Sequence, residues 1–145
     1  MSEENKDIRF IFHAFVHDTN KIYPVININY QQQIVSCIYE NNVKDYPFSN
    51  VDLLLSTRCN DNNEKEIIEG TVVRSLYSNT KMLICFGEYT AYCPVDEQWM
   101  TNIGFYALDE NGNEMPLGPI NDWAEVLGHS LVDKSFHQTN IPGEI

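Results

Sequence analysis

The chain has 145 residues, 43% of them apolar and 21% charged, and its 9 Lys/Arg against 21 Asp/Glu give a formal net charge of −12. A chain of this length suits one domain, 1–145, burying about 70% of its unfolded surface. The charge argues against direct nucleic-acid binding and against an anionic membrane surface, because both ligands are polyanions.

Met1–Asp7 is polar and acidic, with neither a basic nor an apolar leader segment, and no apolar run approaches the ~18 residues that span a bilayer. A cytoplasmic protein with short flexible ends, about 1–6 and 138–145, is expected. From Ile8 to His17 the residues alternate, with Phe10, Phe12, Ala14 and Val16 on one side, which predicts a strand. Asp18-Thr19-Asn20 supplies a turn into a second strand, Tyr23–Tyr30. β-branched enrichment favours a strand over a helix in Gln33–Glu40. Asn41–Asn50, polar and interrupted by Pro47, reads as a loop, and Val51, Leu53, Leu55 and Thr57 resume the alternation. Cys59–Glu66 has the composition of an exposed turn. Ile67–Tyr77 and Met82–Phe86 form a hairpin through Ser78-Asn79-Thr80, and Gly87–Thr90 reads as a turn into Ala91–Val95.

Phe105–Leu117 contains Asn111-Gly112 between extended runs, the signature of a primed hairpin turn in which both central residues need positive φ. Beyond Pro119, Asp122 and Glu125 stand in capping-box relation, and Trp123, Val126, Leu127 and Leu131 recur at helical spacing, which predicts a helix weakened by Gly128. The expected fold is α+β and β-rich. It is an antiparallel sheet, sandwiched or curled into a partial barrel, of about seven to nine short strands with one C-terminal helix packed on it.

Spacing gives no reaction. Cys37, Cys59, Cys85 and Cys93 form no CxxC and read as reduced thiols. Any bridge would join Cys85 to Cys93 across a hairpin. His13 and His17 on one strand face lie ~13 Å apart, too far to share a metal. His129 and His137 lack an HExxH context, and Trp123 at helical spacing reads as core. The oxygen-rich run Asp109–Glu114 fails the EF-hand pattern, with its glycine at the fourth position. No enzyme activity, metal or cofactor is expected.

What stands out is the distribution of charge. Residues 82–145 hold one base, Lys134, against ten acids, and no Lys or Arg occurs between Met82 and Asp133. Aromatic rings are interleaved with these acids. Glu88, Tyr89, Asp96, Glu97, Trp99, Asp109, Glu110, Glu114, Asp122 and Glu125 therefore form the expected partner-binding set, since Tyr and Trp supply binding hot spots and a one-sign field steers an oppositely charged partner. A purely solubilising acidic surface is the competing reading. The expected function is an acidic inhibitor of immunity or antitoxin type that covers the active or substrate-binding surface of a basic nuclease toxin, or a mimic of nucleic acid. The alternatives are a secretion chaperone or adaptor for a basic effector and a small β-barrel ligand-binding protein.

Overall fold

The computed structural model describes residues 10–138; the expected flexible ends lie outside this range, apart from Gln138. Among the described residues, eleven strands form two antiparallel sheets, and neither closes into a barrel. The strand count exceeds the seven to nine expected, because several segments read as loops or single strands pair differently.

The six-stranded sheet is built from β1 (Phe12–Val16), β2 (Lys21–Asn29), β3 (Ile34–Tyr39), β4 (Asn42–Pro47), β5 (Val51–Asn60) and β6 (Glu66–Ile68), in the order β4-β3-β2-β1-β5-β6. Alternation in β1 holds: Ala14 and Val16 join Val35 and Val51 on one face, and Phe15 joins Leu54 and Ile68 on the other. With both faces covered, every residue of β1 except His13 is apolar. Asn42–Pro47 is a strand where a loop was expected. Glu40 and Asn41 take φ of 50° and 68° while Tyr39 opposes Asn42, so this pair makes the two-residue primed turn. Ser36 Oγ then donates to Asp45 at 2.7 Å, and Pro47 ends the strand at the sheet's edge.

The five-stranded sheet contains β7 (Thr71–Ser75), β8 (Lys81–Cys93), β9 (Gln98–Asp109), β10 (Glu114–Pro116) and β11 (Ala124–His129), in the order β10-β9-β8-β7-β11. The run read as one strand from Ile67 to Tyr77 is cut at Glu69-Gly70, where the chain passes from one sheet to the other. Gly87–Thr90 is no turn but the middle of β8. Cys85 and Cys93 therefore share one strand, opposite Tyr106 and Gln98. Eight residues of extended chain separate them by roughly 26 Å, which rules out a bridge. The β9–β10 hairpin forms as expected with a different turn. Of its central pair only Gly112 has positive φ (87°), and Asp109 N donates to Asn113 O, as in a three-residue loop with a glycine bulge.

The C-terminal helix is the largest correction. Helical geometry covers only α1, Ile120–Trp123, and Ala124 is already extended with φ −116° and ψ 144°. Asp122 lies inside that turn and does not cap it, while Val126 and Leu127 lie on β11, paired with β7. A weak helical stripe containing Gly128 loses here to a waiting sheet edge, since tertiary packing outweighs propensity over so few residues. Trp123 is buried as expected, and its Nε1–H donates to Leu117 O at 2.9 Å.

The sheets are joined by hydrogen bonds as well as by the Ile67 side chain, which sits in the core of the five-stranded sheet. Asp61, 2% exposed, accepts from the amides of Asn63 and Lys65 in its own loop and from Val126 N on β11, each at 2.8 Å. Burial raises its pKa, but these amides and the Lys65 charge outweigh burial and hold the carboxyl below its ordinary value. At the crossing, His129 Nε2–H donates to Glu69 O at 2.7 Å, and His129 Nδ1 accepts from Leu131 N. Gly70 has φ +91°, and a Cβ there would stand 2.5 Å from His129 Cε1.

Gly70→Ala is expected to cost about 2–4 kcal/mol in urea unfolding, through backbone strain and the ring clash together. The pH dependence has two windows. Burial, first, and the neighbouring His13 depress His129 more than its bond to Glu69 raises it, so stability declines as pH falls below about 6.5, where only the unfolded chain takes up that proton. Asp61 contributes above about pH 4, and that contribution is lost as pH falls through its lowered pKa. Asp61→Asn should therefore cost about 2 kcal/mol at pH 7 and flatten the acid limb below pH 4.

Candidate functional site

β8 and β9 run for 13 and 12 residues, but their outer neighbours are short. β7 pairs with β8 only over Lys81–Leu83, and β10 pairs with β9 only over Tyr106–Leu108. Among the described residues, Phe86–Cys93 and Gln98–Phe105 consequently pair with each other alone, as a two-stranded ribbon joined by Pro94–Glu97. Gly87 opposes Gly104 within it, leaving one cross-strand position without side chains.

Register assigns the ribbon's faces. Tyr92 opposes Trp99 with ring centroids 5.6 Å apart, Phe86 opposes Phe105 at 4.9 Å, and Glu88 and Ile103 stand between them on the same face. On the reverse face Tyr89 stacks over Tyr106 at 5.1 Å, and Ala91 opposes Met100. Trp99 is 70% exposed, Ile103 80% and Val95 90%, and Phe86, Tyr92 and Met100 are also exposed. So much apolar surface on one projecting element is what interaction sites display.

Eight of the ten expected partner-binding residues come together on or beside this ribbon. Glu88, Tyr89, Asp96, Glu97 and Trp99 belong to it, and Asp109, Glu110 and Glu114 lie on the β9–β10 hairpin next to it. A groove of about 410 Å³ lined by Thr90, Trp99 and Gly112–Glu114 joins the two hairpins. Glu114 accepts there from Thr90 N at 3.0 Å.

The eight differ in availability. Asp109 is half-buried and accepts from Asn111 N, Asn113 N and Asn113 Nδ2. Burial pushes its pKa up, these bonds and the Gly112 amide push it down further, and it ends below its ordinary value. Its carboxylate is spent on holding the hairpin. Glu88, Asp96, Glu97 and Glu110 are exposed. Asp122 and Glu125 stand apart, Asp122 exposed on α1 and Glu125 on β11, at the opposite edge of the sheet from β10. Glu125 forms an ion pair with Arg74 on β7, so this charge is neutralised by a base outside the base-free segment.

Sequence reasoning missed Phe86, Val95, Met100 and Ile103 as display residues. No local signal marks them, because Gly87–Thr90 reads as a turn and the 13- and 12-residue lengths of β8 and β9, beside neighbours of three to five, emerge only from pairing. Among the described residues, no three His, Cys, Asp or Glu side chains are grouped to hold a metal ion. No family model matches the chain, and no curated protein matches its sequence.

Trp99→Ala and Ile103→Ser are each expected to change unfolding free energy by less than about 0.5 kcal/mol, whereas Trp123→Ala should cost about 3–5. Urea titration of the three variants checks whether the ribbon displays these side chains or packs them.

Proposed function

We propose that this chain is a protein-binding inhibitor of immunity or antitoxin type, acting in the cytoplasm on a basic, nuclease-type toxin. One observation carries the reading: a projecting ribbon exposes Trp99, Tyr92 and Ile103 within a segment that contains no Lys or Arg from Met82 to Asp133. A nuclease needs a positively charged groove to hold phosphates. An anionic ribbon with the Tyr92–Trp99 ring pair near its tip complements such a groove in charge.

The mechanism is occlusion, with no bond made or broken by this chain. Exposed Glu88, Asp96, Glu97 and Glu110 steer the encounter, while Trp99 and Tyr92 supply the desolvated contact that holds the complex. Charge then acts mainly on the association rate and ring burial on the dissociation rate.

The test is affinity capture from the source cell at low and high salt, followed by a nuclease assay of the eluted partner with and without the added chain. A basic nuclease that elutes as ionic strength rises and is inhibited stoichiometrically supports the reading; a retained set without a basic protein, or an uninhibited nuclease, overturns it. With the partner in hand, Glu97→Lys plus Glu110→Lys should slow association about tenfold at low salt, with the difference shrinking at high salt. Trp99→Ala should instead speed dissociation by about 30-fold, corresponding to a hot spot of about 2 kcal/mol.

A further inference from the structure

Away from the ribbon, a cleft of about 510 Å³ opens between the two sheets. Ile22 and Ile68 of the six-stranded sheet form one wall, and Val126 with Val132 beyond β11 forms the other. An apolar cleft of this volume with a few polar groups has the make-up of a small-molecule site. The polar groups are His13, Glu66, Thr71, His129 and Asp133, and no Lys or Arg lines it.

These groups offer the cleft mainly acceptors, the Thr71 hydroxyl being both donor and acceptor. Both His129 nitrogens are used, Nε2–H by Glu69 O and Nδ1 by the Leu131 amide, so its ring offers the cleft only carbon edges. Thr71 Oγ1 accepts from Ile68 N. Glu66 is oriented from two sides: Ser56 Oγ donates to its Oε2 at 2.5 Å, and His13 Nε2 lies 3.3 Å from its Oε1. In that contact His13 Nε2 donates to the carboxylate, and its Nδ1 is a buried atom with no hydrogen-bond partner among the described residues. Asp133 adds a second carboxylate at the rim, where Ser135 holds its Oδ1.

We propose that this cleft binds a small organic ammonium, its apolar body lying between Ile68 and Val126 and its charged head donating to Glu66. An anionic head would meet two carboxylates, with no Lys or Arg in the lining and His13 Nε2 already held against Glu66. A neutral head would take water from Glu66 while adding no charge to its contacts with Ser56 and His13. The site is separate from the ribbon, and neither reading depends on the other.

Three probes with one body and different heads test it: phenethylamine, 2-phenylethanol and 3-phenylpropionate, each titrated into the full chain and followed by amide NMR shifts. The amine should saturate shifts at Thr71, Gly128 and His129 with affinity about tenfold above the alcohol's, and the carboxylate should not saturate them. Glu66→Gln, which keeps an acceptor for Ser56, should bring the amine down to the alcohol's affinity and leave the alcohol unchanged. Trp99→Ala should alter neither. Equal binding of amine and alcohol, saturation by the carboxylate, or no saturable shift at these amides overturns the proposal.

Discussion

The Asp61 carboxylate is the contact on which the relation between the two sheets depends. It is buried, charged, and satisfied by three backbone amides, two from its own loop and one from β11. A carboxylate in that setting is stable only while every amide stays aimed at it, so the β5–β6 loop and β11 are held as one unit. Asn62 N adds a bond to Ala124 O. β11 thereby becomes a strand on the edge of β7, α1 is confined to one turn, and the cleft opens between β11 and the strands β1, β2 and β6.

The ribbon arises from the opposite condition, a lack of partners. Short β7 and β10 cannot cover strands of 13 and 12 residues, so the outer halves of β8 and β9 keep both edges open. Open edges with exposed rings are a route to self-association. Here the Glu114 carboxylate covers the Thr90 amide, and Glu88, Asp96 and Glu97 make a second copy of the same ribbon an unfavourable neighbour. The acids thus serve a structural end and a recognition end with the same charge.

Much of the β-architecture was legible in local chemistry. Alternation in β1, β-branched residues in β3 and the polar Ser78-Asn79-Thr80 turn each report what happens within a few residues, where backbone preference and side-chain period decide. Errors fell where a distant segment outbid a local preference. Asn42–Pro47 pairs because β3 presents a free edge, and Val126–Leu127 extends because β7 and Asp61 supply hydrogen bonds that a weak helix cannot match. The primed turn went to Glu40-Asn41 and the glycine bulge to Asn111-Gly112, since the register of the flanking strands selects the turn.

The same division holds for the candidate surfaces. Sequence alone determined the β-rich character and the base-free stretch from Met82 to Asp133, both of which are properties of composition and order along the chain. Only the tertiary structure decided which of those acids are available. Pairing took Glu125 to Arg74, hairpin geometry spent Asp109 on amides, and unequal strand lengths left Trp99 and Ile103 in solvent. The cleft holding Glu66 beside His13 is invisible in the sequence, because its walls come from three segments, around residues 13–22, 66–71 and 126–133, that meet only when the sheets do.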